Sequence, residues 1–176
     1  MRWRGQTARW DPSVARVAEP ALLVRRRPDG REDCLQSQWG GSEAALSAVL
    51  EAGKPPSRVA DWELSRRAVP RSAWLTALDY LRLSAVYLTG GDRTRVYLPL
   101  WVGVATAGLS ADPVAGALVR VRALPEVRRL RREWRTLKGE LGDAVAAGRL
   151  PLAAVPLVLR GALAGRETLD GVPPPE

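Results

Sequence analysis

The residues with the clearest chemistry in this chain are arginines, and their most ordered grouping lies between positions 120 and 138. Downstream of Pro125, at a helical step of about 100° per residue, Arg128, Arg131, Arg132, Arg135 and Lys138 fall on one flank. Glu126, Glu133 and Glu140 fall on the other. Guanidinium forks grip phosphate oxygens in pairs, and each phosphate neutralised releases counterions, so the chemistry implied is salt-sensitive anion binding. Arg120 and Arg122, on the strand just before, would extend the flank into one cationic strip if strand and helix pack side by side. The expected partner is acidic, nucleic acid ahead of an acidic protein. The competing reading is a solvated helix face in a chain whose arginine content is set by its genome. Base-specific readout is not expected, because no helix-turn-helix, finger or stacking motif is present.

Catalytic chemistry finds less support. The chain has no histidine and a single cysteine, Cys34, which excludes zinc sites of Cys/His type and both Ser-His-Asp and Cys-His machinery. Asp29, Glu32 and Asp33 cluster in sequence, and paired carboxylates do acid–base work or hold hard metals. Set beside Arg25, Arg26, Arg27 and Arg31, they read first as a solvated cross-strand charge set. Thr89-Gly90-Gly91-Asp92 is glycine-rich but lies between two strands, without the strand-to-helix context of a phosphate loop. Ser37, Cys34 and Thr94 have no evident base. No catalytic, metal or cofactor residue is therefore assigned, no cofactor is expected, and the reading leans away from an enzyme.

A length of 176 residues suits one domain with a core of its own. Phe, Ile and Asn are absent and only Lys54 and Lys138 are lysines, as a G/C-rich genome would dictate. The net charge of +8 therefore supports an anionic partner without establishing one. One cysteine precludes an internal disulfide and suits a reducing compartment. No apolar run approaches the roughly 18 residues of a membrane span, so a cytoplasmic protein without membrane contact is expected.

The elements that must position these groups are legible in outline. Residues 1–20 read as a basic, flexible arm carrying Trp3 and Trp10 among arginines. Ala21 to Arg27 reads as a strand, Arg27-Pro28-Asp29-Gly30 as a hairpin turn, and Arg31 to Gln38 as the return strand. Trp39-Gly40-Gly41 turns the chain into a helix capped by Ser42 and stopped by Gly53. Asp61 to Arg67 reads as a turn of helix, and Ser72 to Leu83 as a helix with Trp74, Leu75, Leu78 and Leu81 on its apolar side. The centre of the fold is Asp79 to Val104. Its second strand puts Val96, Leu98, Leu100, Val102 and Val104 on one face, with Tyr97 and Trp101 on the other. Pro99 there predicts a bulge or an unpaired side.

Gly116 to Arg122 reads as a further strand with Val119 and Val121 inward, and the helix from Pro125 carries an apolar seam of Val127, Leu130, Trp134, Leu137 and Leu141. Packing of this seam on the protein's own sheet is the first reading. As a heptad it would instead support a parallel helix pair, hence a homodimer. Leu150 to Leu159, almost wholly apolar, should be buried in the domain or at a contact, and Trp39, Trp74, Trp101 and Trp134 should replace Phe as core anchors. The whole predicts one α+β domain over residues 21–168, a mainly antiparallel sheet of about five strands under about four helices, with 169–176 an unstructured tail.

A first strand, the turn RPDG, a second strand closing on QWGG, and later DYLRLSAVYL and VYLPLW together resemble a family of short uncharacterised haloarchaeal proteins over roughly Ala21 to Val104. The resemblance implies a small α+β domain and carries no activity with it. Two departures matter. Members often have His where this chain has Gln38, which removes any metal or acid–base role there, and haloarchaeal proteins are acidic where this one is basic.

Overall fold

The computed structural model describes residues 18–90, 93–105 and 115–169. Strands β1 (Ala21–Arg26), β2 (Glu32–Ser37), β3 (Glu63–Val69), β4 (Ala85–Gly90), β5 (Arg93–Trp101), β6 (Gly116–Val121) and β7 (Thr168–Leu169) form one sheet in the order β3-β2-β1-β4-β5-β6-β7. Helices α1 (Glu43–Leu50), α2 (Arg71–Leu75), α3 (Leu124–Ala146) and α4 (Val155–Gly161) pack on it. The α+β class stands, while the sheet has seven strands instead of about five and is mixed: β1 and β4 run parallel and the other pairs antiparallel.

The two missed strands lack a local pattern, each for its own reason. β3 occupies the stretch expected as a turn of helix, and its residues Glu63 to Arg67 are exposed, because an edge strand is held by backbone pairing to β2 and needs little apolar alternation. β7 is two residues long, too short for any period. Its Leu169 pairs with Leu118, so order continues past the expected boundary at 168. The hairpin turn forms as expected, with Gly30 N–H donating to the Arg27 carbonyl at 3.1 Å and Gly30 at φ 79°. Gly91 and Asp92 of the central link, residues 106–114 of the next loop, Trp3 and Trp10 of the arm, and residues 170–176 lie outside the described residues.

Both sheet faces are covered, unequally. On one, Ala21, Leu23, Tyr87, Val96, Leu98, Val119 and Val121 meet Leu46 and Val49 of α1, Val127, Leu130 and Trp134 of α3, and Val155 and Leu159 of α4. On the other, Leu22, Val24, Cys34, Val86, Tyr97 and Leu118 meet Trp74, Leu75, Leu78 and Tyr80. β5 is interior to the sheet and buries both its faces from Val96 to Trp101, as its two-sided apolar pattern requires. Pro99 causes no bulge: β6 stays in register opposite it, and the β4 ladder ends two residues earlier, at the Val86 and Tyr97 pair, so the missing N–H faces an unpaired side.

The second face is thin because α2 is one short helix, not the long one expected from Ser72 to Leu83. After Leu75 the chain goes into turns. Asp79 then accepts hydrogen bonds from the backbone of Leu81 and Arg82, an Asx turn that competes with helix, and Leu81 is exposed. The glycines after Trp39 answer a close approach more than a sharp bend. A Cβ on Gly41 would lie 2.5 Å from the Ser84 Cβ and 2.8 Å from the Glu19 carbonyl, where the chain entering β1 crosses the start of α1.

The seam of α3 is used within the molecule. Val127, Leu130, Trp134 and Leu141 are buried in the sheet's core cluster with Leu137 packed against it, and the Trp134 indole N–H donates to the Trp101 carbonyl at 3.3 Å. Trp74, Trp101 and Trp134 are core residues, whereas Trp39 is 45% exposed and is no anchor. The apolar run after α3 is divided: Val155 and Leu159 are buried, while Leu152, Leu157 and Val158 face out, Leu157 at 76% exposure.

Candidate functional site

The cationic residues expected to form one strip are split between the two faces of the sheet. Val119 and Val121 belong to the core under α3 and Leu118 to the opposite one, so by alternation Arg120 lies on the face away from α3. The helix flank and the strand arginines are two separate groups.

Much of the helix flank is engaged in holding the fold. Arg128 pairs with Glu43 in the first turn of α1, which holds that carboxyl below its usual range, first through their hydrogen bond. Arg131 donates from Nη2 to the Ser84 carbonyl at 3.1 Å, and Arg135 donates to the Arg131 carbonyl at 3.3 Å. Lys138 lies 3.9 Å from the centre of the Trp101 ring, and burial pulls its ammonium down to about 8. Arg132 is exposed and has no ion pair among the described residues.

The other group is larger than expected. The sheet register puts three more arginines beside Arg120 and Arg122. Arg95 shares its face of β5 with the buried Tyr97, which pairs with Arg120, and it stands one residue beyond the Val96 and Val121 pair, opposite Arg122. Arg93 is two residues further along the same face and pairs with Gly90 of β4. Arg26, on the phase of Val24 in β1, reaches over Gly90, to whose missing Cβ its own Cβ would stand 3.6 Å away. Neighbouring strands hold facing side chains about 5 Å apart at Cβ. Arg93, Arg95, Arg120 and Arg122 thus form one field on the part of this face beyond α2, with Arg26 at its α2 side, opposite the Glu32 that Arg71 and Trp74 hold.

Two carboxylates meet that field: buried Glu32 stands opposite Arg26 in the β1 and β2 register, and Glu167 lies at the other side. Glu167, just before β7, accepts from Arg120 Nη1 at 2.7 Å and from Arg122 Nη2 at 2.6 Å. Its carboxyl is held below the usual carboxylate range, chiefly by the hydrogen bond from Arg120, with Arg122 and Arg95 adding their charge. Arg26, Arg93 and Arg95 have no ion pair among the described residues. At the sheet's end a cleft of about 360 Å³ takes in Lys54, Arg95, Arg120 and Arg122 but not Glu167, and is lined also by Val49 and Leu50 of α1.

The signal for this field was present as R-T-R and R-V-R, two period-two runs at Arg93 to Arg95 and Arg120 to Arg122. Only the register shows that the runs are neighbours and in phase.

The first-hairpin acids form the expected cross-strand charge set in part: Asp29 is exposed and pairs with Arg27, and Asp33 pairs with Arg25 and Arg27, but Asp33 and Glu32 are buried. Glu32 and Asp33 leave opposite faces of β2. Glu32 is 2% exposed and accepts from Arg71 Nη2 at 2.6 Å and from the Trp74 indole at 2.5 Å. Asp33 accepts the backbone N–H of Ala68, a non-glycine residue at φ 51°, and that bond leads the effects holding its carboxyl low, with Arg27 and Arg25 adding to it. Cys34 lines a cleft of about 690 Å³ between α2 and β1 to β3. Burial, then the charge of Glu32, pushes its thiol up to about 11, so it is held protonated and is no activated nucleophile. Among the described residues, no three acidic or sulfur side chains converge as a metal ion would need, and no helix is long and apolar enough to cross a membrane.

Compared with known proteins, the chain matches no family model, no curated protein and no solved structure.

Proposed function

We infer that this protein is a non-enzymatic binding module that contacts nucleic acid through the arginine field of its sheet. The observation that carries the reading is the gathering of Arg93, Arg95, Arg120 and Arg122 onto the part of one face beyond α2, with Arg26 at its α2 side and Glu167 as a counter-charge. A partner with repeating phosphates matches a field of forked donors whose neighbours stand about 5–7 Å apart, across strands at Arg95 and Arg122 and along them at Arg93 and Arg95 and at Arg120 and Arg122. Tyr97 lies buried beneath the field, which therefore offers no ring for a base to stack on. Contact is to the phosphate backbone and sequence-independent. Arg132 and Arg135, exposed on α3 over the opposite face, supply a secondary cationic surface.

The test is retention of mixed single-stranded and double-stranded nucleic acid at low salt by the full chain and two charge-reversal pairs. Arg95→Glu with Arg122→Glu should abolish retention, and Arg132→Glu with Arg135→Glu should weaken it. The reverse ranking would return the function to the α3 flank, and no retention by any form would remove the reading.

A second reading, self-association, is favoured by one observation: Leu152, Leu157 and Val158 form an exposed apolar patch at α4. Light scattering decides it, since Leu157→Glu would halve the mass of a dimer built there and leave a monomer unchanged.

A further inference from the structure

We propose that Arg120 and Arg122 form the seat of a single phosphate group, which the Glu167 carboxylate fills in the free protein and must leave when the phosphate binds. This rests on the arginine field being the binding surface, and adds to it a specific position and an internal competitor.

The geometry of the seat carries the proposal. Each oxygen of Glu167 is taken by a different guanidinium, Oε1 by Arg120 at 2.7 Å and Oε2 by Arg122 at 2.6 Å, an arrangement that two oxygens of a phosphate reproduce. The carboxylate leaves donors unused. The Nε–H of Arg120 is buried without a hydrogen-bond partner, at a side chain whose two strand neighbours and backbone are fixed in the sheet. A buried donor left unpaired costs free energy, and a phosphate, with more oxygens than a carboxylate, has one to offer it. Arg95 stands close enough to act on Glu167 electrostatically, so the seat keeps a third cation beside it with the carboxylate in place.

The competitor is loosely held. Glu167 belongs to a segment tied by its backbone through the two pairs of β7 and the Arg120 N–H to Glu167 carbonyl bond at 2.9 Å, and by Arg166, which pairs with Glu133 of α3 at 3.3 Å, so the carboxylate can move while the segment stays in place. The Glu167 side chain is 43% exposed. Swinging the carboxylate out breaks two surface ion pairs, which are individually weak in water, and leaves the backbone pairing intact.

The experiment compares Glu167→Gln with Glu140→Gln, which removes the same charge from an exposed site on α3 that has no ion pair among the described residues. Two readouts are taken on the full chain: anisotropy of a labelled single-stranded oligonucleotide at low salt, and the shift of the melting temperature by inorganic phosphate at constant ionic strength. Removing the competitor should tighten oligonucleotide binding about five- to tenfold in Glu167→Gln, the scale of one released charge-assisted contact, against less than about twofold in Glu140→Gln, where only screened long-range charge changes. Phosphate should raise the melting temperature of Glu167→Gln more than that of the wild type.

Equal tightening in both variants, or weaker binding by Glu167→Gln, overturns the seat while leaving the arginine field as the binding surface. A phosphate shift specific to Glu167→Gln without oligonucleotide binding by any form supports the seat and overturns nucleic acid as the partner.

Discussion

Replacing Glu32 by Gln tests the contact that fastens α2 to the sheet, and so defines which part of that face stays open. The carboxylate is 2% exposed and takes three hydrogen bonds, two from Arg71 at 3.2 and 2.6 Å on Oε1 and one from the Trp74 indole at 2.5 Å on Oε2. An amide of the same shape offers one acceptor and turns its own N–H groups towards one of those donors. Removing one member of a buried ion pair costs about 3–5 kcal/mol. Arg71 is 41% exposed and recovers water, so about 2–3 kcal/mol is the expected loss.

A chain of this size loses about 2–4 °C of melting temperature per kcal/mol, which puts the fall at about 4–12 °C. The assay is thermal unfolding followed by circular dichroism, extended to a double-mutant cycle with Trp74→Phe. That variant alone should cost about 2–3 kcal/mol for the lost hydrogen bond to a carboxylate and the smaller ring, and in its background Glu32→Gln should cost less, because the amide no longer meets the indole N–H. A melting temperature within about 1 °C of wild type for Glu32→Gln, or a strictly additive cycle, would refute the reasoning.

Two further outcomes follow from other parts of the fold. Gly116→Ala should destabilise by about 3 kcal/mol in denaturant titration, because its Cβ would stand 2.2 Å from ring carbons of the buried Tyr80. Lys138→Met should raise stability at pH 7 and lose part of that advantage in alkali. Burial depresses the folded ammonium from 10.5 to about 8, so the folded state binds fewer protons than the unfolded one above about 8. The lysine's destabilising effect is then complete below that pH and fades as pH rises towards the unfolded value. A pH-independent difference between variant and wild type would contradict it.

What could be read from the sequence follows from where local pattern and long-range pairing agree. The turn at Arg27 to Gly30, the cap at Ser42, the two-sided burial of β5 and the seam of α3 are each set by residues close in sequence, and each forms as expected. β3 was not legible because its residues are exposed and its order comes from pairing with β2. The parallel pairing of β1 with β4 joins residues more than sixty apart and has no local signature. The site failed in the same way. Alternation with the inward Val119 and Val121 predicts Arg120 and Arg122 outward-facing, and they would join the α3 flank only if strand and helix packed side by side on one face. Strand alternation instead sends Arg120 to the far face, where the register supplies Arg93, Arg95 and Arg26 as neighbours in place of Arg128 and Arg131.

Binding of a single-stranded oligonucleotide measured across a salt series examines the arginine field most directly. Occupation of three to four phosphates by the five arginines predicts a log–log slope of about −2 to −3 for the wild type, at about −0.7 per phosphate. Arg95→Glu with Arg122→Glu should flatten it by at least about 1. A wild-type slope near zero, or a slope and affinity unchanged by that pair, would contradict the account.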